Sequence, residues 1–261
     1  GGDTGGGGGT DSLRGDSSDT LIIGPSGIDP TPPEDGDEVV ERTVTVALPA
    51  VGGSFNILVA AGQLQVTPST GGTPLVDEVF AGISDIVING GAGNDVVVLD
   101  PTLTALTGSV TFNGGAGDDS LDSSAYTGRV VFNGGDGDDT LLGGSGNDVA
   151  NGGAGNDSIS TGAGTDRVSA GAGNDFVDAG ADADTVFGED GNDVLIGGAG
   201  DDILNGNAGN DTITGEDGND NLLGGADADS LDGGLGDDTV RGQGGADDIA
   251  IGGGGIDIVV P

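Results

Sequence analysis

From Gly134 to Ala250 the polarity of the chain repeats every nine residues: glycine and small residues first, polar residues at the fifth and sixth positions, an apolar residue at the eighth. The apolar column runs through Leu141, Ala150, Ile159, Val168 and Val177 to Leu231, Val240, Ile249 and Val259. So short a period makes each unit one piece of supersecondary structure, able to bury its apolar side only against its neighbours. The predicted element is a strand of about three residues with one inward side chain, entered through a glycine-rich turn. Such a strand has no stability alone. Thirteen units run without a break, from GGDGDDTLL to GQGGADDIA, and a fourteenth, GGGGIDIVV, starts at Gly252 after one extra residue, Ile251.

Upstream the pattern changes to β-branched runs broken by glycine, which predict strands at Thr43–Ala47, Phe55–Ala60 and Gln63–Thr67. Three related phrases follow, SDIVINGGAGND, GSVTFNGGAGDD and GRVVFNGGDGDD, with first glycines at Gly90, Gly114 and Gly134, at intervals of 24 and 20 residues, and 18 more reach Gly152. Those intervals fit coils of a parallel solenoid that shrink to two nonapeptides per turn. In the wider coils only one side carries the Gly-Asp loop, and the other returns through LDPTLTALTGS or LDSSAYTGR. Residues 1–23 read as the remnant of an upstream array, because GGGGTDSLR fits the unit. Residues 24–38, with Pro25, Pro30, Pro32 and Pro33 among acidic residues, read as a linker. Residues 39–133 read as irregular parallel β-helix coils, and 134–260 as the regular roll. The chain opens GGDTGGGGG without Met, as a piece of a longer protein would.

Composition sharpens this picture. Of 261 residues, 45 are acidic against five Arg and no Lys, a net charge of −40. Self-repulsion on this scale needs neutralisation before a thin core can hold. Nucleic acid and anionic membrane surfaces are disfavoured as partners, since no basic patch meets phosphates. No apolar run approaches the roughly 18 residues of a membrane span. Without Cys there is no disulfide framework, and without His no zinc-protease motif or His-based triad. Cations are the expected partners.

The sixth position explains which cations. It is Asp in every copy: Asp139, Asp148, Asp157, Asp166, Asp175, Asp184, Asp193, Asp202, Asp211, Asp220, Asp229, Asp238, Asp247 and Asp257, with Asp95 and Asp119 equivalent in the wider coils. Turn chemistry alone would admit Asn or Ser there. The fourth position is Gly except at Asp182 and Asp227, residue types that reach the left-handed region and can turn carbonyls inward. A carboxylate beside inward carbonyls suits Ca²⁺, which takes six to eight oxygens in flexible geometry, better than Mg²⁺, which is reluctant to lose water.

GGAGNDSIS, GGAGDDILN and GGLGDDTVR resemble the GGxGxDxUx nonapeptide of RTX, or hemolysin-type calcium-binding, proteins, over about half the chain continuously. The resemblance implies an all-β, right-handed parallel β-roll with Ca²⁺ between loops two units apart, held by the motif Asp and loop carbonyls. One row would stack the loops starting at Gly90, Gly114, Gly134, Gly152, Ala170, Gly188, Gly206, Gly224 and Gly242. The other would stack Gly143, Thr161, Ala179, Gly197, Gly215, Gly233 and, with Ile251 bulged out, Gly252. The gaps between these loops give about a dozen ions, removing roughly 24 of the excess negative charges. The family also implies secretion and folding outside the cell, although no export signal is present in these residues.

No GxSxG elbow is present, so the chain is expected to be no enzyme. Asp85, Asp95 and Asp100 on the irregular coils read as turn residues rather than catalysts. The leading expectation is a structural module that folds on binding several Ca²⁺. The alternative is an adhesive or carbohydrate-directed function of residues 39–133, with a glycan or cell-surface partner, which the array would rigidify.

Overall fold

The computed structural model describes residues 20–23, 42–48, 52–60, 63–68, 76–79, 83–103, 106–244 and 248–260. The apolar–polar alternation builds two sheets of twelve strands that face each other across a narrow core. The first sheet contains Thr20–Ile23, Arg42–Ala47, Ile83–Ala92, Ser109–Ala116 and Arg129–Asp136, then a six-residue strand in every coil from Val149–Ala154 to Asn221–Ala226, then Thr239–Gln243 and Ile258–Val260. The second takes the intervening strands, from Gly53–Ala60 and Asp95–Leu99 through Ser158–Ala163 to Ser230–Leu235 and Ile249–Ile251. From Ile83 onward every strand pair is parallel, and each turn of the chain adds one strand to each sheet. The molecule is a right-handed β-roll. The strand Arg129–Asp136 crosses the expected boundary at 133/134, so the sheets run through it unbroken. Most of the array remnant and all of the linker lie outside the described residues.

Three features differ from the sequence-based expectation. From Val149–Ala154 to Ser230–Leu235 the strands of the array are six residues long, not three, because each runs from the seventh position of one unit to the third of the next, as Ser158–Ala163 does; Thr140–Leu142, Ile249–Ile251 and Ile258–Val260 keep the expected three. Each therefore points two residues inward: Ile159 with Thr161, Val168 with Ala170, Val177 with Ala179, all fully buried. The second inward position is the first of the next unit, where glycine reads as turn. Next, the irregular coils are not wholly parallel: Gly53–Ala60, Gln63–Pro68 and Val76–Val79 form an antiparallel meander at the edge of the second sheet. Only two residues separate the first two of these strands, too few for a parallel crossover.

The last difference is at the other end. Ile249, expected in the core, is 59% exposed, and Ala250 pairs with Leu231 in its place. Ile251 does not bulge out but sits in register beside Asp232. The extra residue of this coil falls between Gly242 and Asp248. Val259 does pair with Val240, although in this last coil it stays 39% exposed.

Elsewhere the apolar column is buried as expected, from Leu141 to Val240. Ala150 is its small member because it lies in register beside Phe132, whose ring fills the adjacent layer. The wider coils bury two large residues per strand, Val110 with Phe112 and Val130 with Phe132, and the two rings meet at 6.0 Å. Full burial of each such side chain is worth about 1.5–3 kcal/mol. The core thus tapers from the wide coils into the array, where each sheet contributes one column of larger aliphatic residues.

Candidate metal centres

In the array the described passages between the sheets are glycine loops, and the loops form two rows along opposite edges of the roll. The register stacks every loop on the one two units away, Gly135 beside Gly153, then Gly171, then Glu189. The stacking is close. A Cβ on Gly173 would collide with the Gly155 carbonyl, and Gly173 holds φ +142°, a region closed to other residues. Asp182 and Asp227 are left-handed at the fourth position, as read from the sequence, with φ of 76° and 73°. Glu189, Asn207, Glu216 and Gln243 are left-handed too, at the second position, a requirement the sequence does not advertise.

The motif aspartates are joined into two hydrogen-bonded ladders. In one row the Asp95 N–H donates to Asp119 Oδ1 at 2.7 Å, Asp119 to Asp139 at 2.7 Å, Asp139 to Asp157 at 2.8 Å, and Asp157 to Asp175 at 2.7 Å. The series continues through Asp193 and Asp211 to Asp229. In the other row Asp148 donates to Asp166 at 2.7 Å and the ladder runs through Asp184, Asp202, Asp220 and Asp238 to Asp257. The fifth-position residues stitch the loops in the opposite direction: the Asn174, Asn192 and Asn210 amides donate to the preceding Asn156, Asn174 and Asn192 Oδ1 atoms at 2.7–2.9 Å. The asparagine column is therefore a structural ladder.

Fifteen of the sixteen expected aspartates occupy these ladders. Asp247 lies outside the described residues, and Asp248 holds its place, with Oδ1 accepting the Asp229 N–H at 3.1 Å. The extra residue of that coil brings Asp248, one position later, onto the ladder. GQGGADDIA contains two adjacent Asp and fits either register, so nothing in the sequence separates them.

The second carboxylate oxygen has a different fate. Oδ2 of the motif aspartates from Asp119 to Asp238, and of Asp248, is buried with no hydrogen-bond partner, and Asp95 has neither oxygen partnered. These residues are at most 3% exposed up to Asp238. Burial is the main cause that pushes the carboxyls upward, to about 7 at Asp139, Asp148 and Asp184 and about 6 at Asp157, Asp193, Asp220 and Asp229. At Asp95 burial and then the Asp119 carboxylate raise it to about 6. An ionised oxygen left dry and unpaired costs several kcal/mol, so a proton or a cation must accompany it.

The surroundings favour a hard cation. The space a side chain on Gly90 would fill lies 2.6 Å from Asp95 Oδ2 and 2.5 Å from the Gly114 carbonyl oxygen. The same pairing of motif carboxylate and next-coil carbonyl recurs at Gly134, Gly152, Gly188, Gly206 and Gly224 in that row, and at Gly197, Gly215 and Gly233 in the other. Among the described residues no three acidic side chains converge as a metal-binding group. Each centre must therefore draw on backbone carbonyls, which Ca²⁺ accepts readily. Because the ladder links Asp175 to Asp157 and Asp193, Asp175→Ala is expected to weaken calcium binding at loops of its own row, leaving Asp166 and Asp184 sites near wild type. Lanthanide-replaced NMR of the folded chain would resolve the rows, and equal loss in both contradicts this stacking.

The same residues are matched by the family model for the RTX calcium-binding nonapeptide repeat, in overlapping stretches covering 75–100, 102–125 and 126–259. No curated protein matches the chain. With the repeat model extending over well more than half of the residues, and its period reproduced in stacked loops of buried aspartate, this chain belongs to the RTX calcium-binding nonapeptide-repeat family.

Proposed function

We propose that the chain is a calcium-folded structural module of a secreted protein, whose β-roll sets only where free Ca²⁺ is high. The buried, unpartnered Oδ2 column supports this most directly, because it is incompatible with an ionised, cation-free fold. Calcium binding itself follows from the repeats. Proteins built on them are typically structural and secreted. No helix among the described residues is long and apolar enough to cross a membrane.

In this reading each ion lies between loops two units apart and takes motif Asp oxygens together with loop carbonyls. The ligands are the fifteen aspartates of the two ladders with Asp248, and about a dozen ions bind in all. Binding free energy then becomes folding free energy, since the unfolded chain offers no such sites. Extracellular modules work at about 10⁻⁴ to 10⁻³ M Ca²⁺, which confines the folded state to the outside of the cell. Circular dichroism during calcium titration tests the proposal: the β signal is expected to appear cooperatively with Ca²⁺ and to vanish in chelator at neutral pH. A signal already complete in chelator, and unmoved by millimolar Ca²⁺, overturns it.

A further inference from the structure

The outer face of the first sheet differs in charge from the rest of the molecule. In register across the array its outward positions form three columns, begun by Val131, Asn133 and Gly135 and continued by Val149, Asn151 and Gly153. Down to Thr239–Gln243 these columns hold one acidic residue, Glu189, in a chain of net charge −40. They also carry Arg167 and Arg241, and Arg129 heads its strand just before Val131, so every arginine whose side chain is described is on this face. The described strands of the second sheet contain no arginine, and their corresponding central column places Asp122, Asp178 and Asp232 outward.

The three columns are unequal in size. The first, at the strand starts, is bulky, with Val131, Val149, Arg167 and Ile203, the last 43% exposed. The third, at the strand ends, is glycine except at Glu189, Asn207 and Gln243. Between them the half-buried Phe187 and Leu223 alternate with amides. Charge is graded the same way. Arg129 and Arg167 are exposed along the starting edge, and the Arg167 guanidinium leans over the Phe187 ring, 4.9 Å from its centroid. Glu189 is exposed at the opposite edge, where its Oε1 accepts the Ser169 hydroxyl at 3.4 Å, and Asp136 and Asp190 lie one residue beyond its column. A centre without carboxylates, holding an aromatic ring and arginine, is the composition of a protein interface rather than of a solvated sheet.

We propose that this face pairs with the same face of a second copy of the chain, about a twofold axis parallel to the axis of the roll. That operation keeps each layer opposite itself and reverses the strands, so the bulky column of one copy meets the glycine column of the other. Val131 and Val149 then stand over Gly135 and Gly153 of the second copy, and Phe187 meets its own mate on the axis. Arg167 faces Glu189 of the second copy with an offset of one strand, about 4.8 Å, across a gap of about 10 Å that these two long side chains span. Symmetry forms the same pair twice. A twofold along the strands instead sets bulky column on bulky column and arginine edge on arginine edge. The acidic loops flank the paired faces instead of lying between them, and their repulsion is screened beyond about 10 Å at 0.1 M salt. The pairing rests on the calcium-loaded roll proposed above.

Analytical ultracentrifugation of the full chain in millimolar Ca²⁺ at physiological salt tests it, with a reversible dimer as the expected result. Arg167→Glu and Glu189→Arg each set like charges opposite one another twice, and each is expected to weaken the dimer about a hundredfold or more. The double substitution is expected to restore it, because the exchanged charges face each other again. The calcium-dependent circular dichroism should stay as in wild type in all three, which separates lost pairing from lost folding. A dimer indifferent to the single reversals, or one that the double substitution fails to restore, overturns the pairing. A calcium-folded chain that stays monomeric overturns it as well and leaves the face to a different protein. A roll that forms and dimerises in chelator keeps the pairing and overturns the calcium reading.

Discussion

With calcium chelated, the β signal of the chain is expected to rise as the pH is lowered from about 8 to about 5, and to fall again on return. The motif carboxyls are raised in the folded state, to about 6 at Asp157 and Asp193 and about 7 at Asp139 and Asp184, with burial as the main cause. The folded chain therefore holds protons that the unfolded chain releases. The resulting stability is fully present below the unfolded carboxylate range near 4 and is lost as the pH rises through about 6 to 7. A tenfold difference in proton affinity between the folded and unfolded carboxyl is worth about 1.4 kcal/mol, and many such groups together exceed the 5–15 kcal/mol that ordinarily separates folded from unfolded domains. Calcium and protons thus compete for one set of oxygens. Binding to the acid-folded chain near pH 5 should release protons, because calcium displaces those the folded carboxyls hold, and the calcium needed for half-folding should fall as the solution is acidified. Circular dichroism in chelator across this range, paired with proton release in unbuffered titration, measures both. A chelated chain equally unfolded at pH 5 and 8 removes burial of the motif carboxylates as the cause.

Gly173→Val is expected to divide the array. The substituted Cβ meets the Gly155 carbonyl, and a β-branched residue cannot hold the φ of +142° found there. Collision with backbone gives neither layer room to yield, so the local cost is of the order of 3 kcal/mol or more. In a quasi-one-dimensional stack each coil is stabilised by its neighbours, and a break in one layer uncouples the coils on either side. The expected result is a two-step calcium titration in place of one cooperative transition, with fewer ions bound at intermediate calcium. Asp182→Gly, at a fourth position that already tolerates a side chain with φ 76°, is the control and should stay close to wild type. A single unshifted transition in Gly173→Val would mean that the loops are not in contact.

Much of this was legible in the chain because a nonapeptide repeats its physics as well as its letters. The Asp at every sixth position and the apolar residue at every eighth marked the aspartate and core columns in advance, and the spacing from Gly90 to Gly152 fitted the coils whose two rows the resemblance implies. What was hidden has particular causes. Glycine and alanine at Gly152 and Ala170 continue a strand and face inward, but small residues announce turns rather than strands. Positive φ at Glu189 and Glu216 has no composition signal, because the stacked loops impose it on whatever residue stands there. Tyr126 reads as an ordinary residue of an irregular return, since only its neighbours in the adjacent coils bury it.

By itself, then, the sequence determined the period and the column of aspartates, because each is a local pattern repeated in every unit, while the pairing of loops two units apart was implied by the family resemblance and fits the 18-residue spacing. The tertiary structure decided where that pattern fails. It put Asp248 on the ladder, and Ala250 rather than Ile249 beside Leu231, through the hydrogen bond from the Asp229 N–H and the register with Leu231. It also buried Tyr126, a residue of the irregular return that no repeat announces.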